Sequence, residues 1–225
     1  METAGATGTT GDASATATST GAGGEISIET LAIGDSILEW NIDEGQSIPE
    51  VWGELAGLEV DNAAVGGTMI LGGEESIPSQ YSQSPGDWGR VLIDGGGNDV
   101  GPDGCGCGDC MGVVDEIINA EASAGAMVAL VDQITGDGAR VVLLGYYMIP
   151  PESEFAGCEE EITALNARYA ALAAARPMVQ YVGAGDVVDY TLDPGLLDDD
   201  LIHPSIEGSQ VIGAYLAAQV NNVGG

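Results

Sequence analysis

Short apolar runs recur along the chain and are separated by segments with the spacing of helices. Each run holds two to four apolar residues close together, as expected of a strand. The runs lie at residues 31–33, 58–60, 91–93, 141–144 and 179–182. The first strand is predicted to begin earlier, at Ile26 and Ile28. The unbroken run from Val141 to Leu144 is typical of a strand that is covered on both faces.

Between these runs, apolar residues recur on one face of a helix. A helix is predicted to start near Ile37, and another over 49–55, where Pro49 suits a first turn. A cysteine-bearing loop after Asp99 is followed by two predicted helical segments. The clearest apolar faces lie at residues 127, 130, 131 and 134, at 162, 165, 169 and 172, and at 211, 212, 215 and 216. Residues 71–87 are predicted as a turn-rich segment without a regular element.

The alternation of strands and helices predicts the fold. Parallel neighbouring strands need crossover helices, so the pattern favours an α/β domain with helices on both faces of a mainly parallel sheet. We predict a three-layer α/β/α sandwich with about five strands, similar to flavodoxin. With 225 residues, the chain is long enough for one sizeable core and short for two. We place this domain at residues 25–225.

The first 24 residues differ from the rest in composition. They consist almost entirely of Ala, Gly, Thr and Ser, which cannot bury enough apolar surface to fold. We predict that residues 1–24 are a disordered linker or tail. They show no basic region followed by an apolar stretch, the pattern of a signal peptide. Such a tail is expected if the domain belongs to a longer exported protein.

Charge narrows the range of partners. The chain has 36 Asp and Glu residues against four Arg and no Lys, which gives a formal charge of −32. This charge disfavours nucleic acids and anionic membrane surfaces as partners, because phosphate binding needs basic residues. No apolar stretch is long enough to span a bilayer, so no membrane insertion is expected. Since salt screens the repulsion among acidic groups, we predict adaptation to saline surroundings.

The first strand leads directly to a serine, in Gly34-Asp35-Ser36. Ligands of open α/β sheets bind at the carboxyl ends of the strands, so Ser36 is predicted to lie where chemistry occurs. A serine hydroxyl needs a base to become nucleophilic, usually a histidine oriented by a carboxylate. His203 is the only histidine in the chain, and Asp200 lies three residues before it. The spacing allows one turn to bring this carboxylate to the imidazole.

Two further strand ends carry groups that can stabilise an oxyanion. Acyl transfer needs preorganised donors, generally backbone N–H groups of glycine loops and a side-chain amide. Gly66 and Gly67 follow the second strand, and Asn98 follows the third. Because parallel strands end at the same edge, these groups are expected to converge on Ser36.

Four segments in this order resemble the sequence blocks of the SGNH (GDSL) hydrolases, over about residues 28–220. The resemblance implies a three-layer α/β/α domain and a serine hydrolase without a cofactor or a metal. It implies Ser36 as the nucleophile, His203 as the general base and acid, and Asp200 as the carboxylate that orients it. It also implies an oxyanion hole made by the backbone N–H groups of Ser36 and Gly67 and the side-chain amide of Asn98, with Gly66 as the alternative to Gly67. The segments are Gly34-Asp35-Ser36-Ile37, where Leu is usual in place of Ile37, Asn62 to Gly67, Gly96 to Asp99, and Asp200 to His203. Asp35 and Asp99 are expected to brace their turns.

The four cysteines allow three interpretations: two disulfides, a zinc site or free thiols. A Cys-x-Cys-x-x-Cys cluster with one distant partner is a poor match to the paired hooks of zinc sites. The even number and the expected export favour disulfides. Four cysteines allow three pairings, so the connectivity stays open. We favour one bridge within 105–110 and one that ties this loop to the distant cysteine. The residues are Cys105, Cys107, Cys110 and Cys158.

Two other features have a functional and a structural interpretation. Residues 146–149 follow the fourth strand and could line a substrate pocket, although aromatic residues that fill the core or anchor loops are the commoner case. The acidic run at 193–200 could hold Ca²⁺, but without EF-hand spacing a solvated loop is favoured.

Together the residues and the resemblance predict a serine esterase that forms an acyl-enzyme on Ser36. The acidic surface favours neutral small-molecule or polysaccharide esters, such as acetylated sugars or short-chain lipid esters. A thioesterase or lysophospholipase is the alternative within hydrolases, and a non-catalytic extracellular binding or structural module is the alternative outside them. The expected location is secreted or periplasmic.

Overall fold

A computed structural model describes Met1 and residues 29–220 of the chain. Five strands form one sheet in the order β2-β1-β3-β4-β5. All neighbouring pairs are parallel. The strands are β1 (Thr30–Ile33), β2 (Val60–Asn62), β3 (Arg90–Ile93), β4 (Arg140–Gly145) and β5 (Val179–Gly183). The predicted parallel, five-stranded, flavodoxin-like sheet is confirmed, because this strand order is the one that flavodoxin has.

Within residues 29–220, eight α-helices connect or follow the strands. Helix α2 packs against α8. A second group comprises α5, α6 and α7, in which α5 contacts the other two and both of these contact β4. These groups cover the sheet as the outer layers of a three-layer sandwich. The helices are α1 (Ser36–Glu39), α2 (Ile48–Ala56), α3 (Ile77–Gln83), α4 (Gly97–Val100), α5 (Met111–Ile117), α6 (Ala126–Gly136), α7 (Glu159–Ala175) and α8 (Ile206–Gln219).

The central strands form the core. All four residues of β1 and all four of β3 are buried, as expected when helices cover both faces of a parallel sheet. Ile33, Ile93 and Leu143 lie side by side across β1, β3 and β4. Strands β1 and β3 therefore end at one level, and the loops that follow them leave the sheet at its carboxyl edge.

Helix α3 corrects one prediction, since it lies inside the segment 71–87 that was predicted to be turn-rich. The side chain of Ser76 accepts a hydrogen bond from the N–H of Ser79 and caps this helix, and Pro78 occupies its first turn. Ile77 and Gln80 are buried. Burial of these two side chains stabilises a helix of seven residues that lacks a repeated apolar face.

Strand β2 begins two residues later than predicted. Gly57 adopts a left-handed conformation with φ of 65° and ends α2. The N–H of Leu58 donates to the carbonyl of Gly53, at 2.9 Å, so Leu58 belongs to the end of the helix. The predicted start of the first strand at Ile26 and Ile28 lies outside the described residues, as does the predicted linker after Met1.

Candidate active site

Ser36 lies at the first position of α1, directly after β1. Asp35 precedes the helix and its carboxylate accepts a hydrogen bond from the N–H of Ile37 at 3.0 Å. The N–H of Asp35 donates to Asp94 Oδ1 at 2.9 Å. A Cβ atom at Gly34 would collide with this same oxygen of Asp94, so only glycine fits before Asp35. The turn therefore holds Ser36 at the carboxyl edge of the sheet.

His203 contacts both other residues of the predicted triad. Its Nε2 atom lies 2.7 Å from Ser36 Oγ, and its Nδ1 atom lies 2.5 Å from Asp200 Oδ2. The histidine side chain is 15% exposed. The structure thus brings together residues that are 167 positions apart in the sequence, in the Ser-His-Asp order of contacts that serine hydrolases use.

Asp200 also binds the backbone of its own turn. Its Oδ1 atom accepts the N–H groups of Ile202 and His203, both at 2.9 Å. Partial burial by itself raises the pKa of Asp200, but the hydrogen bonds from the His203 side chain and from the two backbone N–H groups outweigh it and lower the pKa below its ordinary value. The carboxylate therefore stays ionised and accepts the Nδ1–H of the imidazole.

Trp40 is a contact of His203 that the sequence interpretation missed. The indole and the imidazole stack with their centres 3.8 Å apart and an interplanar angle of 6°. The indole Nε1–H donates to Asp198 Oδ2 at 3.0 Å, which fixes the ring. An aromatic face of this kind stabilises a cation placed over it. The only signal in the sequence for this contact was the position of Trp40 directly after α1, four residues from Ser36.

The second strand end lies next to Ser36, but its two glycines differ. The N–H of Gly66 donates to Glu39 Oε2 at 2.8 Å, so this donor is already engaged. A Cβ atom at Gly66 would lie 3.5 Å from Ser36 Cβ, which shows how closely the loop approaches the serine. Gly67 is left-handed, with φ of 75°. Its N–H is free of the Glu39 contact that occupies its neighbour.

Asn98 lies in α4, at the end of β3, and faces the same loop. One hydrogen of its side-chain amide donates to the carbonyl of Thr68 at 3.0 Å, which leaves the second hydrogen for a ligand. Asp99 accepts the N–H groups of Ile70 and Leu71, both at 2.8 Å. Asp35 braces its own turn, as predicted, whereas the Asp99 carboxylate braces the loop at Ile70 and Leu71 instead of its own turn.

Gln80 is a second residue that the sequence interpretation missed. Its side-chain amide accepts the N–H of Gly34 at 2.8 Å and donates to the carbonyl of Gly34 at 2.9 Å. It also donates to Thr68 Oγ1 at 3.1 Å. The helix that was not predicted thus connects the turn of Ser36 to the loop of Gly67.

Two buried carboxyl groups lie directly beneath Ser36. Burial raises the pKa of Asp35, although hydrogen bonds from Ile37 and Tyr146 oppose this change. Burial raises the pKa of Asp94 well above its ordinary value, and the charge of Asp35 raises it further. Asp94 Oδ2 is buried and has no hydrogen-bond partner. A proton on this pair is therefore held more tightly than a proton on an exposed carboxyl group.

A cavity of about 180 Å³ opens beside the serine. Its lining is mainly apolar and includes Ser36, Asn98 and His203 but neither Gly66 nor Gly67. All four residues from Tyr146 to Ile149 line it. The two tyrosines are also buried in the core and bind loops through their hydroxyl groups, so the favoured structural interpretation holds beside the lining of a cavity. The remaining lining residues are Asp35, Ile37, Gly97, Glu154, Phe155, Cys158, Glu159, Ile162 and Ile202.

Two disulfides lie in the loop after Asp99, and one of them reaches the cavity through Cys158. The bridges are Cys105–Cys110 and Cys107–Cys158, with Cα atoms 5.9 and 4.6 Å apart. Both the favoured chemistry and the favoured pairing are confirmed. Because all four sulfur atoms are in disulfides, none is available as a zinc ligand. Cys158 itself lines the cavity, so the second bridge ties the loop after Asp99 to the start of α7.

The acidic run at 193–200 is organised by hydrogen bonds. Asp193 accepts the N–H of Gly195, Asp198 accepts the indole N–H of Trp40, and Asp200 binds His203. Within residues 29–220, no cluster of three or more acidic, cysteine or histidine side chains has the arrangement of a metal site. Part of the run supports the histidine, so a merely solvated loop was too simple a prediction.

The carboxyl edge of the parallel sheet carries a Ser-His-Asp arrangement, which recurs in serine hydrolases of unrelated folds and is recognised by its geometry. The chain belongs to the GDSL-like lipase/acylhydrolase family, whose sequence pattern matches residues 32–211. The resemblance identified from the sequence blocks is thereby confirmed. No curated protein sequence matches the chain.

Solved structures with this fold include named members of the same family. A lipolytic protein of the G-D-S-L family from Veillonella parvula superposes with a TM-score of 0.66 at 14% identity, over 87% of this chain and 99% of the other. An inhibitor-bound aryl esterase from M. smegmatis superposes with a TM-score of 0.63 at 18% identity, over 86% of this chain and 98% of the other. A carbohydrate acetylesterase family member from Sinorhizobium meliloti superposes with a TM-score of 0.62 at 18% identity, over 84% of this chain and 95% of the other. At these identities the similarity shows the fold alone.

Proposed function

We propose that the protein is a serine hydrolase of carboxylic esters. The observation that carries the proposal is the contact of 2.7 Å between Ser36 Oγ and His203 Nε2, with Asp200 on the other ring nitrogen. This arrangement activates a serine hydroxyl for attack on an acyl carbon.

In the proposed reaction, Ser36 Oγ attacks the ester carbonyl while His203 Nε2 takes the hydroxyl proton. Asp200 accepts the Nδ1–H, which fixes the tautomer and stabilises the imidazolium that forms. The stacked face of Trp40 stabilises the same cation. The tetrahedral intermediate then expels the alcohol, which takes the proton from His203. Water, activated by His203 in turn, attacks the acyl-serine and releases the acid and free Ser36.

The negative oxygen of the intermediate needs donors that are already in place. We assign these to the backbone N–H of Ser36 at the start of α1, the second amide hydrogen of Asn98 and the N–H of Gly67. The engagement of the Gly66 N–H by Glu39 supports Gly67 over its neighbour. The hydrogen bond from Asn98 to the carbonyl of Thr68 holds the Asn98 amide against the loop that carries Gly67. It therefore supports Asn98 and Gly67 as donors to the same oxyanion.

The cavity supports a short or aromatic acyl group. Its volume of about 180 Å³ is comparable to that of apolar protein cavities of about 150 Å³ that admit benzene. Glu154 and Glu159 are acidic residues in the lining of this cavity. Together with the charge of −32, they favour neutral esters, such as acetylated sugars or short-chain lipid esters, over anionic ones. Two of the structures with this fold are named as esterases of aryl and carbohydrate esters.

Turnover of nitrophenyl acetate, butyrate and octanoate tests the proposal, together with labelling by a fluorophosphonate. We expect labelling and turnover in the unmodified protein, with the acetate and butyrate esters preferred. Ser36→Ala should abolish both. His203→Gln and Asp200→Asn should each lower kcat by at least about 10³-fold, because the base or its tautomer is lost. Ser205→Ala, a neighbouring serine that caps α8, serves as the control.

Either of two results would contradict the proposal: turnover that survives Ser36→Ala, or the absence of both labelling and turnover in the unmodified protein. Preference for an acyl thioester over the matched oxygen ester would favour a thioesterase.

We also propose an exported location. Two disulfides are typical of oxidising compartments, and no helix among residues 29–220 is long and apolar enough to cross a membrane.

A further inference from the structure

Two consecutive tyrosines follow β4, a strand that contributes none of the residues assigned to the reaction. Tyr146 is 9% exposed and Tyr147 is 3% exposed. Burial raises the pKa of both well above the ordinary value, so both hydroxyl groups stay protonated and able to donate. Successive side chains of an extended segment point in opposite directions, and these two hydroxyl groups reach different loops.

Tyr146 connects the turn of Ser36 to the turn of Asn98. Its hydroxyl donates to Asp35 Oδ2 at 2.7 Å and accepts the N–H of Gly97 at 3.0 Å. Asp35 precedes the nucleophile, and Gly97 precedes the amide assigned to the oxyanion hole. The Tyr146 hydroxyl therefore sets the distance between Ser36, the proposed nucleophile, and Asn98, a proposed oxyanion donor.

Asn166 of α7 fixes Tyr146 itself. The backbone N–H of Tyr146 donates to Asn166 Oδ1 at 2.9 Å, and Asn166 Nδ2 donates to the carbonyl of Tyr146 at 2.8 Å. Because β4 ends at Gly145, these two bonds take the place of sheet pairing. Asn166 thus fixes the backbone of Tyr146, whose side chain extends to the site.

Tyr147 connects the same segment to the third loop. Its hydroxyl donates to the carbonyl of Ile202 at 2.7 Å. Ile202 directly precedes His203, so this bond fixes the backbone from which the imidazole reaches Ser36.

We infer that Tyr146 and Tyr147 are positioning residues that lock the three catalytic loops to one another from β4. This inference rests on the proposed function, and it goes beyond the triad and the oxyanion donors. Neither hydroxyl takes part in bond making. Their role is to keep the Ser36, Asn98 and His203 groups at working distance, where small displacements of catalytic groups cost large factors in rate.

The test uses Tyr146→Phe and Tyr147→Phe, which keep each ring in the cavity wall and remove only its hydroxyl. The matched control is Tyr81→Phe, whose hydroxyl donates to Asp137 at 2.9 Å. Tyr81 lines a groove with Trp88 and Gly138, which precede β3 and β4 and lie at the opposite edge of the sheet. We expect kcat to fall at least about tenfold in each site variant, with KM changed less than about twofold. The control should retain the original kcat and KM.

A second readout does not depend on turnover. His203 is the only histidine, so in a chain without an affinity tag the imidazole gives a single set of NMR signals. We expect Tyr147→Phe to shift or broaden these signals and Tyr81→Phe to leave them unchanged. The melting temperature is measured for all variants, because a purely structural role would lower it without changing kcat in the folded protein.

The possible results separate the two hypotheses. If the unmodified protein hydrolyses esters through Ser36 but the site variants keep its kcat, the positioning role is wrong and the proposed function stands. If the unmodified protein shows no turnover that depends on Ser36, the proposed function fails. The His203 signals then decide the inference alone, and unchanged signals in Tyr147→Phe overturn it.

Discussion

Asp94 shows how a single buried side chain sets the conformation of the turn that carries Ser36. Its Oδ1 atom accepts the N–H of Asp35 and fills the space that a side chain at position 34 would need. The same burial leaves its other oxygen without a hydrogen-bond partner. A group that positions the active site is therefore also a source of instability when it is ionised.

We predict that Asp94→Asn stabilises the protein at alkaline pH. The raised pKa of Asp94 means that the folded state binds its proton more tightly than the unfolded state. Protonated Asp94 therefore stabilises the folded state. This stabilisation is complete below the pKa of Asp94 in the unfolded chain, about 4, and is lost as the pH rises through its pKa in the folded protein. Each pKa unit corresponds to about 1.4 kcal/mol. Asparagine keeps the acceptor for Asp35 and carries no charge, so the variant escapes this loss.

Urea unfolding at about pH 4.5, 6 and 8 measures the effect. The difference in the free energy of unfolding between Asp94→Asn and the original protein should increase with pH. Asp43→Asn, which removes an exposed carboxylate, should show a much weaker dependence. A difference that stays constant across the three pH values would contradict the prediction.

At the scale of elements, the two disulfides differ in what they join. Cys105–Cys110 closes a separation of five residues within one loop. Cys107–Cys158 closes a separation of 51 residues and links that loop to the first turn of α7. Glu161 of α7 adds to this contact, because its Oε1 atom accepts the N–H of Cys110 at 3.0 Å. The longer bridge therefore sets the position of one wall of the cavity.

We predict that the two bridges contribute unequally to stability. In the chain-entropy account, closing five residues contributes about 2 kcal/mol and closing 51 residues about 4 kcal/mol. The double variant Cys107→Ala/Cys158→Ala should thus lose more free energy of unfolding than Cys105→Ala/Cys110→Ala, as measured in urea. It should also raise KM for butyrate esters, because Cys158 lines the cavity. Equal losses, or the reverse order, would show that loop closure does not govern their contribution.

At the scale of the whole molecule, negative charge dominates. Of the four arginines, Arg168 and Arg176 form ion pairs, with Asp115 and Asp132. Arg90 is buried, with its guanidinium 5.5 Å from the centre of a ring of Trp52. Against 36 acidic residues, these pairs neutralise little, so repulsion among surface carboxylates opposes folding.

We predict that salt stabilises the protein. The melting temperature should rise between about 0.05 and 1 M NaCl, over which the Debye length falls from more than 10 Å to about 3 Å. The same increase in salt at about pH 4.5 should give a smaller rise, because many carboxylates are then protonated. A melting temperature that does not rise at neutral pH would contradict both this expectation and the proposed saline adaptation.

The sequence by itself determined the architecture and named the candidate reacting groups. The spacing of apolar residues and the length of apolar runs are local properties of the sequence. The five apolar runs therefore predicted the parallel sheet before any contact was known. A single histidine with an aspartate three residues before it left one candidate base for Ser36. The loops of Gly67 and Asn98 could be placed because parallel strands end at one edge of a sheet.

Only the tertiary structure decided how these loops are held together. Gln80, Trp40 and the tyrosine pair act through contacts between residues that are far apart in the sequence, and no spacing rule connects them. Helix α3 was missed because burial of Ile77 and Gln80 stabilises it, rather than a periodic pattern. The choice between Gly66 and Gly67 depended on Glu39 in the same way. Local patterns fix which chemistry the chain offers, whereas packing among distant segments fixes the distances at which that chemistry can operate.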